Sequence, residues 1–142
     1  MYLAMSLLDD DTFRRLCRAR DFAGASFHEP VSLDQLARTA CLSPFHFHRL
    51  FTLTFGETPH DFVTRLRIEH AKQVLATDYR SVTDVCFDCG YASLGTFSSK
   101  FQAVVGQSPS EYRRNMRRIF AIPQWAWSLY VPSCFMNFYG HS

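Results

Sequence analysis

Apolar residues in the first half of the chain recur every three or four positions, which is the spacing of one helix face. Between Ser32 and Gly56 this pattern predicts two short helices separated by a turn at residues 41–43. Their inward positions are Leu33, Leu36, Ala37 and Ala40 in the first helix and Phe47, Leu50, Phe51 and Phe55 in the second. Ser32 and Ser43 are suited to cap the two helices, and Gly56 is a typical helix stop. The pattern therefore predicts a helix-turn-helix unit over residues 32–56.

Two further helices are predicted around this unit. The acidic run at residues 9–11 is a good helix start, and apolar residues after it continue a helical face up to Pro30. A longer amphipathic segment from about Pro59 to Thr77 predicts a central helix. At 1.5 Å per residue, that helix would span about 27 Å.

The helix-turn-helix pattern then occurs a second time, over residues 81–106. At an offset of 49, Ser81, Val82, Val85, Cys86 and Cys89 match Ser32, Leu33, Leu36, Ala37 and Ala40. At an offset of 50, Phe97, Phe101, Gly106, Pro109 and Tyr112 match Phe47, Phe51, Gly56, Pro59 and Phe62. A stacked repeat protein normally needs three or more copies. Two copies of this geometry favour a tandem pair of DNA-binding units instead.

Composition is compatible with DNA binding but does not demonstrate it. The chain has 142 residues, of which 47% are hydrophobic and 20% charged, as expected of a globular protein. Its net charge is only +2. Residues 91–118, however, carry five basic side chains and one acidic one, a local surplus that suits a polyanion.

From about Arg14 to Arg118 the chain resembles the DNA-binding region of AraC/XylS-type transcription regulators. The second copy carries the most specific matches, in the segments 81–85, 90–91, 96–98 and 106–114, and the first copy matches through 32–37, 42–43, 49–51 and 56–59. The resemblance implies an all-α fold with two helix-turn-helix units, 32–56 and 81–106, joined by a central helix at 59–77. Residues 1–13 would be a lead-in and 119–142 a tail. The implied function is sequence-specific promoter binding, usually to activate transcription, by a stand-alone or truncated member without a recognisable sensor domain.

Side chains that face outward on the second helix of each unit are the candidates for contacts to DNA bases, because that helix enters the major groove. These candidates are Phe45, His48, Arg49 and Thr52 in the first unit and Leu94, Gly95, Thr96 and Ser99 in the second. Arg49 is the best candidate for a bidentate contact to guanine, and Phe45 for contact with a thymine methyl or for packing as a half-buried staple. The second set is small and uncharged, and Ser99 stands where the family often has Arg. It is therefore expected to contribute shape contacts or anchoring.

Phosphate contacts are predicted for Ser43, His46, Ser93, Lys100, Arg113 and Arg114. Adjacent groove faces lie about 34 Å apart along DNA, so a central helix of the predicted length could hold both units on one side of the duplex. A single chain would then cover two consecutive major-groove segments without a two-fold partner.

Five scattered cysteines and the absence of a signal peptide favour a reducing, cytoplasmic location with free thiols. Cys86 and Cys89 form a C-x-x-C pair but fall at inward positions, which favours core packing over a metal site. A redox-sensing role for the pair is an alternative. His46 and His48 are two residues apart on a helix and cannot chelate one ion. No catalytic motif, cofactor site or metal site is evident, so an enzyme is not expected.

The segment 119–142 has no acidic residue, Lys or Arg, and it contains both tryptophans. Prolines and polar residues interrupt it, so it is not expected to span a membrane. It could cover an apolar groove, partly as a short strand, or it could mediate self-association or partner docking, or be a truncated end. Double-stranded DNA is the expected partner, with RNA polymerase as a further one. The alternative function is a protein-interaction module with weak or no DNA binding.

Overall fold

The computed structural model describes residues 8–121, and all regular structure within that range is α-helical. The helices are α1 (Asp10–Ser26), α2 (Leu33–Thr39), α3 (Pro44–Phe55), α4 (Pro59–Thr77), α5 (Val82–Asp88), α6 (Leu94–Val105) and α7 (Pro109–Phe120). Helices α2 and α3 form the first helix-turn-helix, α5 and α6 form the second, and α4 joins them. The predicted all-α fold with two tandem units is confirmed.

Local capping chemistry explains where these helices begin. Each of α2–α7 follows a Ser or Thr whose hydroxyl accepts a hydrogen bond from the backbone N–H three residues later. The repeat extends to the helix ends, because α3 and α6 both stop at a glycine in the left-handed conformation, Gly56 at φ 75° and Gly106 at φ 85°. Corresponding helices also have equal lengths, seven residues for α2 and α5 and 12 for α3 and α6.

Each unit has its own hydrophobic core, and both cores contain neighbouring phenylalanine rings at equivalent positions. The first core consists of Leu16, Ala19, Ala23, Leu36, Ala37, Ala40, Phe47, Phe51, Phe62 and Val63. The second consists of Ile68, Ala71, Leu75, Val85, Cys86, Cys89, Tyr91, Phe97 and Phe101. The rings of Phe47 and Phe51 lie 5.4 Å apart between centroids, and those of Phe97 and Phe101 lie 5.7 Å apart.

Helix α4 belongs to both cores. Its first half contributes Phe62 and Val63 to the first core, and its second half contributes Ile68, Ala71 and Leu75 to the second. The second-half residues have the same spacing as Leu16, Ala19 and Ala23 of α1. The second half of α4 therefore does for the second unit what α1 does for the first.

In the first unit, three of the residues predicted to face inward are less buried than expected. Leu33, the first residue of α2, is 38% exposed because it lies at the rim of the first unit. Leu50 and Phe55 are half-buried and pack against the outside of the first core. The core positions nearest the turn, by contrast, are fully enclosed.

The units also touch directly, through a contact between the α1–α2 loop and the turn of the second unit. Arg67 of α4 donates from Nε to the carbonyl oxygen of Phe27 at 2.6 Å and from Nη2 to that of Glu29 at 2.9 Å. Its guanidinium carbon lies 5.4 Å from the ring centroid of Tyr91 in the second unit. We call the loop 27–29, Arg67, Gly90 and Tyr91 the inter-unit contact.

Gly90 makes this close approach feasible. Its φ is +84°, and a Cβ atom built on it would lie 2.8 Å from the carbonyl oxygen of His28. A side chain there would therefore collide with the backbone of the α1–α2 loop. In the described part of the chain, no helix of α1–α3 packs extensively on a helix of α5–α7, so α4 and the inter-unit contact together connect the units.

Helix α1 begins at Asp10, as the acidic run predicted, and therefore starts inside the segment assigned as a lead-in. Helix α7 likewise continues to Phe120, two residues into the predicted tail. Predictions for the remainder of the tail, including the short strand and self-association, lie outside the described residues. Among the helices of residues 8–121, none is both long and apolar enough to cross a membrane.

Candidate nucleic-acid interface

The outward face of α3 presents aromatic and cationic side chains together. Phe45 is 79% exposed, and His48 and Arg49 are exposed beside it. Thr52, also on α3, is less exposed than these three residues, and its hydroxyl donates to the carbonyl oxygen of His48 at 2.8 Å. That bond leaves Thr52 with acceptor capacity alone, so it is less versatile toward a base edge than His48 or Arg49.

Leu53 adds an apolar surface to this face that the sequence prediction did not include. It is 59% exposed and lines a shallow depression on α3 together with Phe45, His46, Arg49 and Leu50. In the sequence this position differed only in lacking the basic residue that the AraC/XylS-type regulators it resembles often have there. Apolar and polar groups therefore alternate on the face that would meet a groove.

The outward face of α6 is smaller and carries less charge. Leu94 is 41% exposed, Gly95, Thr96 and Ser99 are exposed, and the space beside Gly95 is open. Ser98, on the same helix, is half-buried. The four exposed residues include no arginine, so this face has no side chain that could make the bidentate contact to guanine, as the sequence suggested.

The two serines predicted to contact phosphate are helix caps. The Ser43 hydroxyl accepts from the N–H of His46 at 3.3 Å, and the Ser93 hydroxyl accepts from the N–H of Thr96 at 3.2 Å. Ser93 also donates to the Thr96 hydroxyl at 2.8 Å. At these positions the unused N–H groups of the first helical turn are the stronger donors toward an anion.

The remaining phosphate candidates differ in their accessibility. His46, Lys100 and Arg114 are exposed. Arg113 is half-buried, and its Nε and Nη2 atoms are enclosed without a hydrogen-bond partner among the described residues. Burial, together with the nearby Arg117, lowers the pKa of Arg113, although an arginine remains charged at neutral pH. Arg114 is therefore better placed than Arg113 to meet a phosphate.

Two more arginines extend the basic surface of α7 beyond the predicted set. A groove along this helix is lined by Ser110, Arg113, Arg114, Arg117, Arg118 and Ala121. Arg117 stacks over the exposed ring of Tyr79, with its guanidinium carbon 4.9 Å from the ring centroid. The charge surplus counted in the sequence is thus concentrated on one helix, which is the arrangement that a polyanion requires.

Cys86 and Cys89 are fully buried in the second core, so the prediction that they pack there is confirmed. Burial raises the pKa of both thiols, that of Cys89 to about 12, with the carboxylate of Asp88 adding to the effect. Such thiols are protonated at neutral pH and are poor nucleophiles. Within residues 8–121 no three His, Cys, Asp or Glu side chains are grouped as a metal site would need.

Comparisons with known proteins agree with this architecture. The profile of a family described as a helix-turn-helix domain matches residues 36–115, more than half of the chain. The DNA-binding domain of AdpA, a global transcriptional factor solved in complex with a target DNA, superposes with a TM-score of 0.71 at 29% identity, over 77% of this chain and 96% of that one. This chain belongs to the AraC-type helix-turn-helix family.

Two further proteins are similar to this chain. A regulator from Chromobacterium violaceum with an AraC-type DNA-binding domain has a TM-score of 0.68 at 27% identity, over 81% of this chain and 99% of that one. An uncharacterized HTH-type transcriptional regulator of Staphylococcus aureus is 33% identical over 108 residues, which are 76% of this chain. The chain spans only 14% of the length of that relative. The likeness therefore concerns the DNA-binding region.

Proposed function

We propose that this AraC-type region binds duplex DNA sequence-specifically as part of a transcription regulator, with α3 in one major groove and α6 in the next. The observation that carries the proposal is the exposed face of α3, where the side chains of His48 and Arg49 make no hydrogen bond or salt bridge to the described residues. The position of this helix after a capped turn is that of the helix that contacts bases in helix-turn-helix proteins.

The two units would divide the work. Arg49 would make a bidentate contact to a guanine, which is worth about 1–3 kcal/mol of discrimination against other bases. His48, Phe45 and Thr52 would contact the neighbouring bases. Leu94, Gly95, Thr96 and Ser99 of α6 would contribute methyl and shape contacts. Phosphates would be held by exposed Lys100, His46 and Arg114, by Arg113, and by the N-termini of the two helices at Ser43 and Ser93.

The length of α4 supports binding along one side of the duplex. Its 19 residues span about 27 Å, close to the ~34 Å that separates successive groove faces. At a promoter such a protein would act by contacting RNA polymerase, and we propose activation in the cytoplasm as its role.

Selection of bound sequences from a random duplex pool tests the proposal directly. We expect a defined motif, and we expect Arg49→Ala to relax the preference at one base position at a cost of about 1–3 kcal/mol. Arg114→Ala should weaken all sites alike and lower the salt slope by about 1. Arg18→Ala on α1 removes an exposed arginine outside both units' second helices and serves as the control. An unchanged motif in Arg49→Ala would contradict the assignment of that residue.

A second function is favoured by the apolar part of the same face. Phe45 and Leu53 are both largely exposed on α3, and α6 has little charge, as expected of a protein-interaction module that has lost DNA affinity. DNA binding should fall about 10³-fold between 50 and 200 mM salt if six phosphates are contacted. Absence of binding to any duplex at low salt would support the interaction module instead. Footprints limited to one short groove would exclude the two-groove arrangement.

A further inference from the structure

We propose that Arg67 is a positioning residue that fixes the separation and rotation of the two DNA-binding units, and thereby the spacing of the two DNA segments that the protein accepts. This inference rests on the proposed function for its DNA part. It rests on the inter-unit contact for its structural part.

Arg67 lies where the two cores meet along α4. The residue before it, Leu66, packs against the first core, and the residue after it, Ile68, is fully buried in the second. A cationic side chain between two apolar positions interrupts the helix face at the point where the helix changes partners. The half-buried guanidinium is therefore available to both units at once.

The bonding of the guanidinium is bidentate and joins elements that are far apart in sequence. Its two donors bind the carbonyl oxygens of Phe27 and Glu29, 40 and 38 residues away, while its face lies against the Tyr91 ring. The planar, rigid fork of arginine suits such a pair of acceptors, whereas the lysine ammonium is a point donor on a flexible stem. The α1–α2 loop of the first unit is thus tied to the turn that precedes α6.

The partners of Arg67 are themselves held in place by the cores. Tyr91 packs on Phe97 with 5.4 Å between ring centroids, and Phe97 lies on α6. Phe27 packs against the first core and lies 5.4 Å from the ring of His70 on α4. A tilt of one unit relative to the other would therefore have to break the arginine bonds or move a core residue.

Fixing the two units relative to each other affects the DNA spacing that they accept, because each base-pair step has both a rise and a twist. Inserting one base pair displaces a half-site by about 3.4 Å and rotates it by about 34° around the duplex. A rigid pair of units binds such a site with lower affinity, whereas a loosely joined pair can move to contact both segments. Loss of Arg67 should therefore change spacing selectivity more than it changes affinity for either segment alone.

The first experiment measures binding to a selected site and to the same site with one base pair inserted between its two contacted segments. We expect the wild type to lose about tenfold in affinity on insertion, and Arg67→Met to lose about threefold or less. Methionine keeps the aliphatic packing and removes the fork. Arg20→Met is the matched control, because Arg20 also stacks on an aromatic ring, that of Phe55 at 5.2 Å, but within the first unit. A wild-type penalty in Arg67→Met would overturn the proposal.

Arg67→Lys keeps the positive charge but removes the planar guanidinium that makes two hydrogen bonds. We expect this variant to behave like Arg67→Met, because one ammonium cannot hold both carbonyl oxygens in the same fixed geometry. A wild-type penalty in Arg67→Lys would overturn the role of the bidentate bond. The lysine variant also retains a cation beside Tyr91, so it provides a folded test if the methionine variant does not fold.

A second experiment needs no DNA. Residual dipolar couplings of the free protein should fit one alignment tensor for both units in the wild type and in Arg20→Met, and two different tensors in Arg67→Met. One shared tensor in Arg67→Met would overturn the inference. If the wild type binds no duplex, the proposed function fails, but the couplings still decide whether Arg67 holds the units together.

Discussion

Replacing Gly90 with alanine should destabilise the protein more than the same change at Gly106, although the two residues have almost the same backbone conformation. Their φ values are +84° and +85°. A Cβ at Gly106 meets nothing within 4 Å, whereas a Cβ at Gly90 lies 2.8 Å from His28 O, 3.0 Å from His28 C and 3.1 Å from Phe27 O. Comparing the two variants therefore isolates the steric collision from the backbone strain.

The expected magnitudes follow from these distances. A left-handed conformation costs an alanine about 1–2 kcal/mol, and the reduced freedom of its unfolded chain returns about 0.4–1 kcal/mol. Gly106→Ala should therefore lose about 1 kcal/mol. The atoms facing Gly90 are backbone atoms, which cannot rotate away, and all lie well inside the ~3.5 Å of an optimal non-bonded contact. Overpacking of this kind adds about 1–3 kcal/mol, so Gly90→Ala should lose about 2–4 kcal/mol in total.

Urea denaturation of both variants measures the difference, with midpoints interpreted at a constant m value. Gly56→Ala is a second control, because Gly56 has φ +75° and open space around its Cβ position. If Gly90→Ala is no less stable than Gly106→Ala, the close approach of the α1–α2 loop to the second unit is wrong.

Three other results are expected. Mild oxidation should not alter DNA binding through Cys86, because this thiol is buried and its pKa is raised; an oxidation-sensitive affinity that Cys86→Ser abolishes would support the redox alternative. Hydrogen bonds from Ser108 lower the pKa of Glu111, so the stability that its carboxylate contributes is present above the pKa of the unfolded chain and is lost as pH falls through the lower pKa of the folded protein. Glu111→Gln should remove that loss of stability at acidic pH, and an unchanged stability–pH curve would contradict the hydrogen bonds. Phe101→Ala should cost about 3–5 kcal/mol in urea denaturation and exposed Leu53→Ala less than about 0.5 kcal/mol, and similar losses would contradict their burial.

Much of the fold was predictable because the two units use local signals. Capping residues, glycine stops and apolar spacing each act over a few residues: α2–α7 begin after a capping serine or threonine, and α3 and α6 end at a glycine. The burial of Cys86 and Cys89 followed from their alignment with Ala37 and Ala40. The outward faces of α3 and α6 followed from the same periodicity, although their roles in DNA binding remain predictions.

The inter-unit contact was not predictable because its partners are far apart in the chain. Arg67 appeared as one more polar residue on an amphipathic helix, and nothing local indicates that it binds carbonyl oxygens about 40 residues away. Gly90 was recognised only as part of a family match, whereas its conformation and its contact with the α1–α2 loop depend on tertiary structure. The half-burial of Arg113 was not predictable either, because the sequence shows the charge of a side chain but not its burial in the tertiary structure.

The shared use of α4 makes the two units a single folding unit. Neither unit has a complete core without α4, because one takes its first half and the other its second half. Local melting of that helix would expose both cores together, so the protein should unfold in one transition rather than in two steps. In a tandem duplication that shares a helix in this way, a cut on either side of α4 takes core residues away from one of the two copies.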